Sequence, residues 1–191
     1  MVDPAVIFGR MGNRMFQGAY LYAQMRRGLI NDFFVQDEEY FKEFSEEIKR
    51  LYGAGIGFID KVSIHVRRAA NPINPAEPKY SENPFYVNLC ETDYYQKAMA
   101  YFPNDKFLLS SDDLGWCKQQ LMFKDCEFVD KEEVENFNAM ASCKSNIIAN
   151  SSFSWWAAYL NPNPFKVVVA PKQWFADGVE RTKLLKEWIK L

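Results

Sequence analysis

The sequence is poor in several patterns that would point to a function on sight. It has one histidine, His65, and its four cysteines, Cys90, Cys117, Cys126 and Cys143, contain no CxxC pair. This excludes the ligand spacing of a structural zinc site and leaves four reduced thiols of a cytosolic protein as the plain reading. An excess of positive charge is also missing. With 23 Lys and Arg against 25 Asp and Glu, the formal net charge is −2, so the broad basic footprint that grips a nucleic-acid backbone is absent, and only a local site for a small anion stays open. Nor is there a long apolar run. The opening residues MVDPAVIFGRMGNRMF have no charged segment followed by an apolar one, so neither a secretion signal nor a membrane span is expected, and the expected location is cytoplasmic.

What the chain does have is enough apolar material for a core. Its 191 residues suit one large domain or two small ones, and 48% of them are hydrophobic. Aromatic residues make up 16% of the chain, which fits a filled interior together with a cleft able to stack sugars or bases.

A short apolar run at 5–8 reads as a buried strand. It is followed by the turn Gly9-Arg10-Met11-Gly12-Asn13 and a helix to about Arg27. From Asp37 to Leu51, charges interleave with Tyr40, Phe41, Phe44 and Ile48 at helical spacing, predicting a solvated amphipathic helix. Gly53, Gly55 and Gly57 then mark a loop and do not have the spacing of a dinucleotide fingerprint. Beyond them the pattern alternates. Strands are predicted at 61–66, 106–110, 127–129, 146–149 and 166–170, and helices at 92–102, 113–123, 132–143, 153–160 and 179–191, with a proline-rich loop at 71–84. Such alternation implies a mostly parallel sheet covered on both faces, with ligands beyond the C-terminal ends of its strands.

Three strand ends carry chemistry. After KVSIHV come Arg67 and Arg68, guanidiniums suited to bidentate phosphate contacts, with His65 just inside the strand. A surface pair bridging carboxylates, and a core imidazole, are the plainer readings of these residues. After NIIA come Asn150, Ser151 and Ser152, then a helix beginning FSWW. Hydroxyls and open N–H groups at a helix start form an anion site, although a serine there is also an ordinary cap. Trp155 and Trp156 suit sugar stacking or, more plainly, the core. The third is the turn with Gly9, Gly12 and Asn13, where backbone can approach a ligand closely. Asp112 and Asp113 follow another strand, and capping is their plain reading, with acid–base, ligand or metal contact as alternatives.

In order, GRMGNRMFQ at 9–17, SIHVRR at 63–68, DYYQKAM at 93–99, SDD at 111–113, CKSNIIANSSFSWWAAYL at 143–160 and APKQWF at 170–175 resemble the inverting α-1,2-fucosyltransferase family. The resemblance implies a GT-B-like α/β fold, with a Rossmann-type parallel-sheet donor domain at 61–191 and a reduced N-terminal, acceptor-side lobe at 1–60. It implies GDP-fucose as donor, a galactose-bearing glycan as acceptor, and no metal or other cofactor. Carried onto this chain, Arg67 is the catalytic arginine at the β-phosphate, Arg68 supports the loop and His65 lies near the nucleotide. Ser151 and Ser152 match the hydroxyl pair at the phosphate-binding helix, and Gly9, Gly12 and Asn13 match the loop across the cleft. The chain departs from the family pattern at Ala69-Ala70, where Gly-Asp is usual. It departs again at Asn136, four residues before Met140, where the family has an acid; guanine recognition then falls to Asp130 or Glu135. These departures keep two alternatives open, a catalytically silent nucleotide- or glycan-binding relative and a transferase of another nucleotide sugar.

Overall fold

The computed structural model describes residues 11–27, 37–53, 56–69 and 78–191. The apolar run at 5–8, Gly9, Gly55, Ala70 and residues 71–77 of the proline-rich loop lie outside the described residues. The strands are β1 (Ile59–Val66), β2 (Phe107–Ser111), β3 (Glu127–Val129), β4 (Cys143–Ile147), β5 (Val168–Ala170) and β6 (Ile189–Lys190). The helices are α1 (Met11–Arg27), α2 (Ser45–Tyr52), α3 (Tyr94–Met99), α4 (Leu114–Cys117), α5 (Glu133–Ser142) and α6 (Ser152–Leu160). Among the described residues the strands form one six-stranded sheet in the order β3-β2-β1-β4-β5-β6, with its strand pairings parallel. This is the doubly wound, Rossmann-like α/β arrangement, and its order reverses between β1 and β4.

The central strand shows why the sheet is covered twice. Along β1, Val62, Ile64 and Val66 face one layer and pack with Tyr94, Tyr95, Ala98, Cys117 and Phe123 from α3, α4 and the turns beside them. The other layer is α1, α2, α5 and α6, whose core includes Phe16, Phe41, Ile48, Phe137, Met140, Trp155 and Trp156. Polar groups at the centre of that layer form a network. Asn146 donates from Nδ2 to Ser63 Oγ and Met140 O, and its Oδ1 accepts from Asn161 Nδ2 at 2.8 Å. Because an unmet buried amide costs ~1–3 kcal/mol, this network also favours one register of β1 on β4.

Trp155 and Trp156 are core residues with no exposed surface. Phe16 of α1 lies 4.5 Å from the Trp155 ring, and Phe41 stacks on Trp156 at 5.5 Å. The N-terminal segment therefore shares its core with α6. The four cysteines are free thiols. Burial pushes Cys117 up to about 11 and Cys126 and Cys143 up to about 12, so these three stay protonated and unreactive near neutrality.

Several predicted elements differ from the structure. The helix expected over 37–51 is two 3-10 turns followed by α2, and that over 113–123 is α4 followed by a 3-10 turn at Leu121–Phe123. The terminal helix expected over 179–191 is absent; turns lead instead to β6, which pairs Val169 with Ile189 and Ala170 with Lys190. Helical spacing in that segment loses to tertiary contacts, because ladder bonds to β5 and burial of Trp188 against Trp155 satisfy backbone and side chain together.

Candidate functional site

A cavity of about 820 Å³ opens at the C-terminal ends of the strands, over the reversal point between β1 and β4. Parallel sheets leave a crevice there because the crossovers on either side depart to opposite faces.

The β1 side contributes Arg67, which lines the cavity and is ion-paired with Asp112. Its guanidinium lies over the Tyr80 ring, 5.0 Å from the centroid. One oxygen of Asp112 accepts from the backbone N–H of Arg68 (2.8 Å) and of Ala69 (3.1 Å), so a single carboxylate clamps the turn and holds the arginine. Asp113 fulfils the capping expectation by accepting from Trp116 N at the start of α4. Arg68 turns away from the cavity: its Nε meets Asp113 Oδ2 at 3.3 Å and its guanidinium stacks 4.0 Å from the Trp116 ring. His65, 5% exposed on β1, lines the cavity with its ring 5.6 Å from Phe153. Burial raises the Tyr80 hydroxyl well above its ordinary pKa; it stays protonated and donates to Asn150 O at 2.5 Å.

The β4 side contributes the start of α6. Ser151 holds the cap position in extended backbone, yet its side chain makes no capping bond. The hydroxyl of Ser152 instead donates to Asn13 Oδ1 at 2.8 Å, joining the first turns of α6 and α1. Gly12 makes this approach feasible, since a Cβ there would fall 2.4 Å from Ser152 C and 2.5 Å from Phe153 N. Asn13 of α1 and the start of α6 thus converge on the cavity, and α6 brings N–H groups without intrahelical acceptors and the positive end of its dipole.

Gly12, Asn13, His65, Arg67, Ser151 and Ser152 line this one cavity. Arg68, Asp130 and Glu135 do not, and Gly9 lies outside the described residues. On the β3–α5 side the lining residues are Lys131, Glu133 and Asn136, with Asn136 Nδ2 donating to Lys131 O.

Other lining residues carry no strong sequence signal. Asn150 is buried and its amide donates to Val87 O (2.9 Å) and Trp174 O (3.0 Å), fastening two loops to the end of β4. Those loops bring Phe85, Tyr86, Phe175 and Arg181 to the cavity beyond β5. The clamp of Asp112 was masked by its neighbour's capping role. Its place directly after β2, beside the reversal point, is the signal that could have singled it out.

A model of the family described as glycosyl transferase family 11 matches residues 8–191. The O-antigen biosynthesis glycosyltransferase WbnK of Escherichia coli is 32% identical over 138 residues, covering 68% of this chain and 44% of that protein. An alpha-1,2-colitosyltransferase of Escherichia coli is 31% identical over 165 residues, covering 74% of this chain and 54% of that protein. The chain thus spans about half the length of the curated relatives it matches. No solved structure matches.

Proposed function

The chain belongs to glycosyl transferase family 11, and from that premise we propose that it transfers L-fucose from GDP-fucose to a galactose-bearing glycan, forming an α-1,2 linkage with inversion. The observation that carries the reading is the convergence of Arg67, Ser151 and Ser152 on one cavity at the sheet's reversal point. As the bond from the sugar's anomeric carbon to the β-phosphate oxygen breaks, negative charge gathers on the diphosphate. Arg67 and the open N–H groups of α6 neutralise that charge with groups fixed before the reaction, and no metal or other cofactor is required. Each well-placed donor of this kind is worth ~3 kcal/mol in enzymes generally. The acceptor hydroxyl attacks the anomeric carbon from the opposite face, which inverts that centre, while GDP leaves with the electrons of the broken bond and the hydroxyl proton is released to water.

Asp112 gives this reading support that the sequence alone does not. Ala69 and Ala70 stand where the family usually has Gly-Asp, but the Asp112 carboxylate meets Arg67 from the neighbouring strand and fixes the turn. Paired with that cation, it acts as a positioning group for Arg67. Among the described residues no helix is long and apolar enough to cross a membrane, and we place the reaction in the cytoplasm, where activated sugars are made.

A second reading, transfer of a different sugar from a nucleotide donor, is favoured by the relative whose name specifies colitose. Calorimetry with GDP, followed by mass spectrometry of a galactoside incubated with GDP-fucose and EDTA, tests the proposal. It expects GDP binding that Arg67→Ala abolishes and a product heavier by one fucose. GDP binding without that product, restored by another GDP-sugar, moves the assignment to the second reading. Undiminished GDP binding by the Arg67→Ala protein rejects the site.

A further inference from the structure

The cavity has a direction set by strand order. From the β2 and β3 side it is lined by Asp112, Lys131 and Asn136, at the reversal point by Arg67 and Ser152, and beyond β5 by Phe175 and Arg181. With strands ~4.8 Å apart, β5 stands ~7 Å from the midpoint between β1 and β4, about one sugar ring beyond a diphosphate held there.

The far end is a built ledge. Tyr86 and Phe175 form an antiparallel bridge. Val87 N donates to Trp174 O at 3.1 Å and Ala176 N to Phe85 O at 3.0 Å. The Asn150 amide fastens both strips from beneath. On this support the Phe85 and Phe175 rings lie 5.1 Å apart, and the Arg181 guanidinium sits 5.0 Å from each. Both guanidinium NH2 groups of Arg181 bind the Asp177 carboxylate, at 2.9 and 2.7 Å, so the ledge carries a planar, charge-balanced donor and acceptor pair beside an aromatic face. That combination suits a neutral pyranose, whose C–H face stacks on a ring while its hydroxyls bridge planar polar groups. The ledge is also open at its rim: Phe85 is 43% exposed and the Arg181 and Asp177 side chains are 40% and 45% exposed, while Phe175, 7% exposed, backs Phe85 from the core and Asp177 holds Arg181 from outside the cavity lining. A donor sugar is small and needs enclosure from water, whereas an acceptor is the end of a longer glycan that must continue into solvent.

We propose that Phe85, backed by Phe175, and the Arg181–Asp177 pair form the subsite for the terminal neutral pyranose of the acceptor glycan, which puts acceptor contacts within 61–191 and not only in the 1–60 lobe that the resemblance implies. This rests on the reading that Arg67 and Ser152 hold the donor's diphosphate. The test compares the wild type with Phe85→Ala and Arg181→Gln, both at exposed positions. Saturation-transfer NMR with methyl β-D-galactoside in the presence of GDP reads the ledge, calorimetry with GDP reads the donor site, and steady-state kinetics give KM for each substrate. The expected result is strong loss of saturation transfer and a rise of about tenfold or more in acceptor KM, about 1.4 kcal/mol, with GDP affinity, GDP-fucose KM and Tm unchanged. Methyl β-D-galacturonoside is expected to bind more weakly than the neutral galactoside. Galactoside binding that survives both substitutions, a wild type that does not bind it, tighter binding of the uronoside, or a rise in GDP-fucose KM in place of acceptor KM would each overturn the assignment. A wild type that binds galactoside through Phe85 but does not bind GDP would remove the donor-site reading and leave the ledge as a sugar site.

Discussion

The two ends of the cavity are built on different physics. At the reversal point the wall is ionic and helical: Arg67 held by Asp112, and two helix starts brought together across Gly12. Beyond β5 the wall is aromatic, and its backbone is held by an isolated bridge and one buried amide. The first end depends on close approach and charge, so small substitutions there should be costly. The second depends on a few hydrogen bonds beneath a surface ledge, so it should loosen without unfolding the protein.

The largest effect is expected at Gly12. The atoms a Cβ would meet at 2.4 and 2.5 Å are backbone and cannot turn aside, so Gly12→Ala must drive α1 from α6. Strain of this kind costs ~3 kcal/mol or more. Denaturant melts should show that loss together with weakened GDP binding, and an unchanged midpoint would show that the helix starts are not locked. Next comes Asp112→Asn, which keeps an oxygen for the N–H groups of Arg68 and Ala69 but withdraws the charge facing Arg67. The Arg67 side chain is only 10% exposed, and losing that partner should cost the ligand-free protein ~2 kcal/mol. An anion that replaces the lost charge should return part of this. GDP should therefore raise Tm by more in the variant than in the wild type; an equal rise would separate Asp112 from the donor site.

Asn150→Ala probes the other end. Removing the amide takes the donor from Val87 O and leaves Trp174 O with Val87 N alone, at a cost of ~1–3 kcal/mol. Amide exchange at Val87 and Ala176 should accelerate while that at Arg68 and Ala69 holds steady. If exchange rises equally at all four, the two ends are one cooperative unit and the contrast between them fails.

The same contrast explains what the sequence made legible. Arg67 follows its strand directly and Ser151 and Ser152 lie within a few residues of theirs, so strand assignment alone puts them at the carboxyl edge, and the parallel order brings β1 beside β4. Phe85 and Phe175 lie far apart in sequence, in loops without periodicity, and only the bridge between those loops unites them. The terminal segment misleads for a related reason. Val179–Leu191 has helical spacing, but Asp177 accepts from Val179 N and holds Arg181, and β5 offers an open edge that β6 completes. Asp130 and Glu135 had the right charge for guanine recognition, but the cavity wall on that side is Lys131, Glu133 and Asn136. On α5 and the turn before it, a shift of one position changes the face a side chain occupies.

The smallest effect concerns the far end of α6, away from the cavity. At its N-terminus the helix offers open N–H groups, while at its C-terminus the carbonyls of Tyr159 and Asn161 accept from Lys166 Nζ at 3.2 and 2.6 Å. Burial lowers the Lys166 pKa to about 8 from its ordinary 10.5. Between those two values the unfolded chain binds more protons than the native one, so this group's contribution to stability becomes more favourable as pH rises through that window. Below pH 8, by the same pKa, both states are protonated and the cost of burying the ammonium is constant. The stability of the wild type relative to Lys166→Met should therefore increase by ~1–2 kcal/mol between neutral and strongly alkaline pH, allowing for partial solvent access. Over the same range GDP affinity should differ little between the two proteins, because the charge lies a full helix length from the phosphate site. A flat stability difference would mean that the two carbonyl partners offset the desolvation of the ammonium. A Lys166-dependent change in GDP affinity would show instead that the two ends of α6 are electrostatically coupled.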